Sequence, residues 1–428
     1  MATSPIAEAQ GGSLERAQPS RLGLGRPLLW FAVVALLGLS LWQVRSIDRQ
    51  FHAPLHHNDL IGRWYGTRAA LHGGDPYSPA LTRQIQAVAD HDKSTAFDYP
   101  AQFAVLMVPL ALLSWKTASV LYLGLVIPGL ALAIWLCLRL VNPELSSRNL
   151  ALITLGVFGS WPVVWALRIW QPGLLVAICV FGGCFLLSRG RDLSAGILFA
   201  LAMIKPQLVL PLLLALLLWT VLRRRLSFLI AFAATSIALL ALAVMLLPGW
   251  IPHWLASLHT YQSYCGKLPL ETLLGWGASR IVAVALALGT VCRRWTLRSD
   301  TGSPAVVGYG VALLLALPVA INTTTPLMIY NDLLLLPGCV LLCRKPSSGS
   351  GVSLLARRFA QIWLGWAVLS VPVAVLVDAL SGAGMIGEKM VFMNPFFGTA
   401  VTLFLLLNPP GAEAEIRTST PDLSPQAA

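Results

Sequence analysis

The chain has 428 residues, of which 57% are hydrophobic and only 11% are charged, and its mean hydropathy is +0.73. An ordinary soluble domain carries about 25% charged residues. So few charges cannot cover a water-exposed surface, which excludes a soluble enzyme, a disordered chain and a secreted disulfide scaffold. The composition therefore predicts an all-α polytopic membrane protein.

The charge balance carries separate information. The net charge is +12, from 30 lysines and arginines against 18 aspartates and glutamates. In a soluble protein such an excess indicates nucleic-acid binding. In a membrane protein it indicates which loops face the cytoplasm, because short cytoplasmic loops retain lysine and arginine. The distribution of these charges along the chain therefore decides between nucleic-acid binding and an orientation signal.

Long apolar runs predict the membrane spans, since about 17–25 residues are needed to cross roughly 30 Å of hydrocarbon. A further apolar stretch, 193–222, is interrupted by Lys205-Pro206-Gln207 and has arginines at both ends, which predicts a hairpin with Lys205 at the far side. Its first arm, about a dozen residues, is typical of a helix that ends inside the bilayer. The uninterrupted runs lie at 27–45, 117–138, 149–167, 172–188, 226–247, 277–292, 304–321, 327–343, 358–378 and 391–407.

Residues 101–114 form a shorter apolar run, of a length typical of an interfacial or re-entrant helix. If this run does not cross, there are about twelve spans, and the basic clusters at 16–26, 189–191, 223–225 and 293–298 share the cytoplasmic side. If it crosses, the N-terminal arginines lie opposite all the later clusters. The first alternative fits better, so most of the +12 is an orientation signal and nucleic acid is not expected as a partner.

This topology predicts a single transmembrane domain, 27–407, with a large first outer loop at 46–116. The tails at 1–26 and 408–428 are rich in Ala, Ser, Pro and Gly and are predicted to be disordered. The expected location is the inner (plasma) membrane, with both termini in the cytoplasm. The cysteines and histidines lack the spacing of a metal site, so neither a metal nor a cofactor is expected.

The first outer loop has strong local signals, and long loops usually carry function. Asn58 or Asp59 can cap a helix that runs to Leu71 and ends at a Gly-Gly pair. On that helix Asp59 and Arg63 share one side, and the helix N-terminus favours the anionic carboxylate that a general base requires. The alternative is that Asp59 only caps the helix and pairs with Arg63.

Lys205 is the main candidate outside that loop. A lysine within an apolar hairpin costs roughly 2.5–3.5 kcal/mol on insertion, so it is a functional candidate by default, and it can bind a phosphate as a point charge. The alternative is a side chain that extends to the outer interface. Asp98-Tyr99-Pro100 precedes the short run at 101–114, where proline is an ordinary helix start.

Two further polar segments lie at the outer ends of spans. Trp170-Gln171-Pro172 follows Arg168 and is either an interfacial turn or part of a site. The segment 330–332 contains an aspartate inside a span, which needs a partner or a water-filled cavity. All these candidates fall on the non-cytoplasmic face, which fits an outward-facing enzyme or a transporter. A transporter predicts a second broken hairpin, which the sequence lacks, and no Walker-type loop for ATP is found.

The first loop resembles that of a known family. Its string NDLIGRWYGTRAALHGGDPYSP is similar to the first-loop motif of glycosyltransferase family 87, the polyprenol-phosphate-mannose-dependent mannosyltransferases. Tyr99-Pro100 resembles the family's Tyr-Pro-Pro element, with alanine in place of the second proline. The segment 189–207 and the surroundings of Gln171 resemble further elements of the family. In the C-terminal half the best match is TTTPLMIYNDLLLLP.

The resemblance implies the type-C glycosyltransferase fold, in which juxtamembrane helices lie in a large first outer loop, and this agrees with the topology of about twelve spans predicted from the charges. It also implies a hexose donor linked to polyprenyl phosphate, and in the family this hexose is mannose. The acceptor it implies is a lipid or a glycan, and the protein contacts membrane lipid. Asp59 matches the family's general base. In the mechanism that this match suggests, Lys205 stabilises the donor phosphate, together with Arg63 or Arg168. Weaker substrate-binding candidates are Tyr65, Arg68, Asp75, Tyr77, Tyr99, Gln171, Gln207, Tyr330, Asn331 and Asp332.

Two alternatives stay open on the sequence. A flippase or exporter of a lipid-linked glycan would use the same outward charges for binding instead of catalysis. A transferase of the same kind could also use arabinose or glucose, because the choice of sugar depends on a few hydroxyl contacts.

Overall fold

The part of the chain that the computed structural model describes is helical. Within it there is no strand, in agreement with the predicted all-α class. The predicted span 27–45, the N-terminal tail and all but the first residue of the C-terminal tail lie outside it. The described residues are 58–89, 95–265, 269–296, 304–322, 326–343, 351–381 and 397–408.

The helices are numbered in chain order. The first ten are α1 (Asp59–Leu71), α2 (Pro79–Val88), α3 (Ala101–Ala111), α4 (Trp115–Val141), α5 (Ser147–Phe158), α6 (Trp161–Arg168), α7 (Gly173–Ser188), α8 (Asp192–Ala202), α9 (Pro206–Leu222) and α10 (Leu226–Leu246). The later ones are α11 (Trp250–Cys265), α12 (Pro269–Thr296), α13 (Pro304–Asn322), a 3₁₀ helix (Pro326–Leu335), α14 (Leu336–Leu342), α15 (Gly351–Ser381) and α16 (Phe397–Leu407).

Three short helices, α1 to α3, occupy the segment predicted as the first outer loop. The bounds of α1 confirm the predicted helix, which ends where Gly73 adopts a left-handed φ of +77°. α3 has only 11 residues and starts directly after Pro100, as expected for a run too short to span. α3 packs against α1, since the indole Nε1 of Trp64 donates a hydrogen bond to Leu110 O at 3.1 Å.

Two described helices, α4 and α10, are long and apolar enough to cross a membrane, judged by length and composition. α5 and α6 together form a third candidate, and they meet at a bend of 52°. The structure thus interrupts the run predicted at 149–167, because Pro162 in the first turn of α6 has no N–H to continue the preceding helix. The described residues therefore contain two or three clear spans, and the count of twelve stays a prediction.

The stretch predicted as a hairpin is formed by α8 and α9, and its break lies at the predicted position. α8 has 11 residues, and Lys205 lies in the connection just before Pro206 begins α9. α8 also packs closely on α10, since a Cβ on Gly196 would lie 2.6 Å from Phe228 O and 2.9 Å from Phe232 N. Small residues permit such a close approach of two helix backbones in membrane proteins.

The C-terminal helices pack against one another through similarly close contacts. A Cβ on Gly398 of α16 would lie 2.8 Å from Ala320 N of α13, and the hydroxyl of Tyr309 donates a hydrogen bond to Leu405 O. The run predicted at 327–343 is not one α-helix, because it begins as a 3₁₀ helix and continues as α14. Its 3₁₀ part lies against α6 and α7 and so comes close to the candidate active site.

One hydrophobic core joins α1 to the apolar helices. Leu60 and Ile61 are at most 1% exposed and belong to the same cluster as Trp161 of α6 and Phe181 of α7. Full burial of such an aliphatic side chain stabilises the fold by about 1.5–3 kcal/mol. The core therefore fixes the first turn of α1, and with it Asp59, against the membrane helices.

Gly196→Ala is expected to lower the thermal midpoint of the detergent-solubilised protein. The added Cβ would overlap the backbone of α10, and overpacking of this kind costs about 1–3 kcal/mol. Gly124→Ala in α4 is the matched control, because nothing lies within 4 Å of a Cβ there and alanine favours a helix. Equal midpoints for the two variants would contradict the close contact of α8 with α10.

Candidate active site

The first turn of α1 presents the carboxylate of Asp59 without using it as a cap. Asn58 is the N-cap residue: its Oδ1 accepts hydrogen bonds from Leu60 N at 3.0 Å and Ile61 N at 3.2 Å. The backbone N–H of Asp59 donates to Ile169 O at 2.8 Å, which joins α1 to the end of α6. The side chain of Asp59 is 20% exposed and pairs with Arg63, but the cap of this helix is Asn58, so the role of Asp59 as a base stays a prediction.

Arg63 lies one turn further along α1 and is buried between two carboxylates. Its Nη1 donates to Asp59 O at 2.7 Å and lies 3.9 Å from Asp59 Oδ1. Its Nη2 lies 3.7 Å from Asp98 Oδ2, in the segment that precedes α3. Burial raises the pKa of Asp98 to about 6; the Arg63 guanidinium opposes this shift, and Asp59 adds to it.

Gln171 fixes the second oxygen of Asp59. Its Nε2 donates a hydrogen bond to Asp59 Oδ2, while its Oε1 accepts one from the Tyr99 hydroxyl at 2.8 Å and one from Gly173 N at 3.2 Å. The hydroxyl of Tyr122 donates to the Gln171 carbonyl at 3.1 Å. Gln171 is 1% exposed, so both ends of its amide are engaged inside the protein.

A tight turn between α6 and α7 brings Gln171 to this position. Trp170 adopts a φ of +54°, a left-handed conformation that costs a bulky residue roughly 1–2 kcal/mol. Its buried indole stacks on Trp115 at 5.8 Å between ring centroids, and the N–H of Gln171 donates to Ala166 O at 2.8 Å. These contacts hold the strained residue in place, and strain of this kind is common at functional sites.

The ring of Tyr99 lies between Arg63 on α1 and Lys205 before α9. Arg63 Cζ lies 4.9 Å from the centroid of this ring, and Lys205 Nζ lies 5.9 Å from it. The same ammonium lies 4.5 Å from the ring centroid of Tyr330, in the 3₁₀ helix. A Cβ on Gly173 would lie 3.4 Å from Lys205 Nζ, so the glycine leaves room for the ammonium. The site therefore combines α1, the α6–α7 turn, the break before α9 and the 3₁₀ helix.

Tyr99 is itself held as a neutral hydrogen-bond donor. Burial raises the pKa of its hydroxyl above the usual value, with Asp59 and Asp98 adding to the shift and Arg63 opposing it. Its backbone carbonyl accepts a hydrogen bond from the buried hydroxyl of Tyr77 at 2.9 Å. Tyr77, one of the sequence candidates, therefore holds the backbone of Tyr99 in place.

Several predicted residues of the first loop lie outside this group. Asp75 pairs with His253 at 2.8 Å on the exposed side of the loop. Arg68 stacks over Trp64, with its Cζ 4.7 Å from the ring centroid, and Tyr65 packs edge-on against the same indole. These contacts hold the loop together, and the predicted substrate-binding roles of the three residues stay predictions.

The remaining candidates divide in the same way. Arg168 is half-buried and lies over the ring of Trp165, 5.9 Å from its centroid. Gln207 is exposed in the first turn of α9. Asn331 and Asp332 are buried, but Asp332 lines a separate apolar cavity of 180 Å³ between α5, α6 and α15. Tyr330 is thus the only member of its predicted trio seen beside Lys205 among the described contacts.

Tyr122 and Gly173 belong to the site but are not among the sequence candidates, and the sequence places Asp98 only in the segment that starts a helix. A local signal exists for Asp98, an acidic residue in the same loop as Asp59, but its proline neighbour favours a helix start instead. The described residues contain no group of three His, Cys, Asp or Glu side chains that could hold a metal ion.

The comparison with protein families identifies one match. The model described as glycosyltransferase family 87 matches residues 97–318. This segment contains Tyr99, Gln171 and Lys205, whereas Asp59 precedes it and Tyr330 follows it. No curated protein and no solved structure gives a significant match.

Tyr99→Phe is expected to destabilise the protein by about 1 kcal/mol, because it removes the buried hydrogen bond to Gln171 Oε1. The measurement is the thermal midpoint of the detergent-solubilised protein. Tyr65→Phe is the control, since the hydroxyl of Tyr65 makes no hydrogen bond in the described part of the chain. A midpoint of Tyr99→Phe equal to that of the control would contradict the buried contact.

Proposed function

This chain belongs to glycosyltransferase family 87 and is a membrane glycosyltransferase, and we propose that it transfers mannose from a polyprenyl-phosphate donor to a lipid or glycan acceptor. The observation that carries the proposal is the chain of contacts from the Asp59 carboxylate through Gln171 to the Tyr99 hydroxyl, with the Lys205 ammonium 5.9 Å from the centroid of that tyrosine ring. One group can accept a proton, and the other can stabilise a leaving phosphate. The reaction takes place on the non-cytoplasmic face, where nucleotide sugars are absent and a lipid-linked donor is required.

Asp59 is the general base in this mechanism. It takes the proton of an acceptor hydroxyl as that oxygen attacks the anomeric carbon of the donor sugar. A new glycosidic C–O bond forms, and the bond from the anomeric carbon to the phosphate oxygen breaks, with its electron pair leaving on polyprenyl phosphate. The hydrogen bond from Gln171 orients the carboxylate, and its 20% exposure leaves an approach for the acceptor.

Lys205 stabilises the charge that develops on the departing phosphate. A lysine ammonium acts as a point charge, and fixed charges placed where charge develops in the transition state contribute strongly to catalysis. Lys205 is 9% exposed, so water screens its charge little. Arg168 at the end of α6 is proposed as a second phosphate contact. The described contacts of Arg63 include both carboxylates, the Asp59 carbonyl and the ring of Tyr99, and its own phosphate contact stays a prediction.

The mechanism assigns every step to side chains of this chain and to its two substrates, without a cofactor. The proposed location is the plasma membrane, with both termini in the cytoplasm. Mannose is inferred from the family resemblance, and incubation of membranes with labelled polyprenyl-phosphate mannose, glucose and arabinose tests it. Release of free polyprenyl phosphate favours a transferase, whereas translocation of a lipid-linked glycan without release favours a flippase or exporter.

Asp59→Asn is expected to lower kcat roughly 10²- to 10⁴-fold, the usual contribution of a general base, because the amide cannot accept the proton. The assay measures polyprenyl phosphate released in native membranes supplied with polyprenyl-phosphate mannose. Asp192→Asn is the control, since that carboxylate pairs with Arg225 at 3.0 Å and takes no part in the site. Near-normal transfer by Asp59→Asn would remove the base assignment.

Lys205→Ala is expected to lower kcat/KM for the donor about 10²-fold, because the leaving phosphate loses a proposed cation. Lys205→Arg should recover part of this loss, since it keeps a positive charge. Lys116→Ala, at the exposed start of α4, provides the matched control. Unchanged donor kinetics in Lys205→Ala would eliminate the phosphate role.

A further inference from the structure

Asp98 is a second carboxylate of the site to which the proposed reaction assigns no role. Its side chain is 8% exposed, and its Oδ2 accepts no hydrogen bond within the described part of the chain. The nearest positive charge recorded for this oxygen is Arg63 Nη2 at 3.7 Å. A buried carboxylate is costly unless it is paired, so this contact is its main compensation.

The fold holds Asp98 firmly in that position. The indole of Trp254 donates a hydrogen bond to the Asp98 carbonyl at 3.0 Å. The preceding backbone lies directly on α1, because a Cβ on Gly62 would approach Ala96 O to 2.8 Å and one on Gly66 would overlap the ring of Phe97. Two glycines one turn apart therefore let the Asp98 segment lie against the helix that carries Asp59 and Arg63.

Arg63 is shared almost equally between the two carboxylates, at 3.9 Å from Asp59 and 3.7 Å from Asp98. Its 2.7 Å hydrogen bond to the Asp59 carbonyl keeps the guanidinium on the helix instead of on either carboxylate. A cation within about 4–6 Å lowers a carboxylate pKa by 1–3 units, and a second carboxylate offsets this effect. The charge on Asp98 therefore acts on the basicity of Asp59.

We propose that Asp98 is a positioning residue that shares Arg63 with Asp59 and so keeps Asp59 basic enough to accept the acceptor's proton. This inference rests on the proposed function, because it deepens the role of the same site. Among the described residues, the charged and titratable groups that face Asp98 are Asp59 and Arg63 on α1, Tyr77 and its own neighbour Tyr99. Lys205 lies across the ring of Tyr99.

The sign of the pH dependence follows from these contacts. Burial raises the pKa of Asp98 to about 6, so Asp98 is charged at neutral pH and becomes neutral as the pH falls through that value. Once Asp98 is neutral, the whole charge of Arg63 acts on Asp59 and lowers its pKa. Asp98→Asn keeps this position neutral at every pH, so Asp59 meets the whole charge of Arg63 throughout.

The test is the pH profile of kcat/KM for polyprenyl-phosphate mannose, which reports the ionisations of the free enzyme. The full chain is assayed in native membranes from which the wild-type protein has been removed. Asp98→Asn is expected to move the acidic limb about one unit to lower pH, because Asp59 becomes a weaker base. The alkaline plateau should fall roughly threefold to tenfold.

A purely structural role of Asp98 predicts a different result. It would lower the rate at every pH and leave the acidic limb in place, and that outcome would overturn the inference. Asp98→Glu retains the carboxylate and should keep the limb close to the wild-type position, so it tests the inference even where Asp98→Asn is poorly folded. A limb displaced in Asp98→Glu as far as in Asp98→Asn would also overturn it.

Asp192→Asn serves as the matched control, because it also removes a carboxylate paired with an arginine, here Arg225 at 3.0 Å. Its acidic limb should stay unchanged. Failure of the proposed function gives a separate signal: wild-type membranes would release no polyprenyl phosphate, and both proposals would fall together. If the wild type is active and the acidic limb of the pH profile does not move in Asp98→Asn, this inference is refuted and the proposed function is not.

Discussion

The buried guanidinium of Arg63 is the constraint on which the site depends. An arginine that is 4% exposed must be surrounded by acceptors, because removing its charge from water is costly. Asp59 and Asp98 supply two carboxylates, and the Asp59 carbonyl supplies a third acceptor. The arginine therefore orders the first turn of α1 and the segment before α3 at once, and the proposed base is positioned as a consequence.

Breaks in regular structure bring the other groups to this arginine. Gln171 follows the left-handed Trp170, Lys205 lies between α8 and α9, and Tyr330 belongs to a 3₁₀ helix. In a membrane protein, irregular backbone is tolerated only where it is buried in protein or lines a cavity. Three such breaks around the ring of Tyr99 are therefore expensive features that a purely structural bundle would not need, which supports a functional site there.

Local signals account for what the sequence predicts correctly. The helix from Asp59 to Leu71 follows from a capping residue and a glycine pair, and the break at Lys205 follows from a lysine and a proline within an apolar run. Pairings between distant segments leave no such signal. The contact of Arg63 with Asp98 joins residues on either side of α2, and the hydrogen bond from Gln171 to Asp59 joins the first loop to the α6–α7 turn. The 3₁₀ helix also separates Tyr330 from Asp332, which the sequence groups together, because residues two apart on a helix with three residues per turn point in different directions. Tyr330 accordingly faces Lys205, and Asp332 faces the cavity beside α15.

The hydrogen bonds around Gln171 orient the Asp59 carboxylate through a neutral side chain. The Tyr99 hydroxyl and the Gly173 N–H both donate to Oε1, so the amide must turn its Nε2 toward Asp59. A glutamine is neutral, and it therefore fixes the carboxylate with a smaller fall in pKa than a second cation would cause. The neutral groups set the direction of the carboxylate, while in the proposed mechanism the shared charge of Arg63 sets its affinity for a proton. These two tasks are separated onto different residues, and that separation allows one buried arginine to serve the fold and the chemistry together.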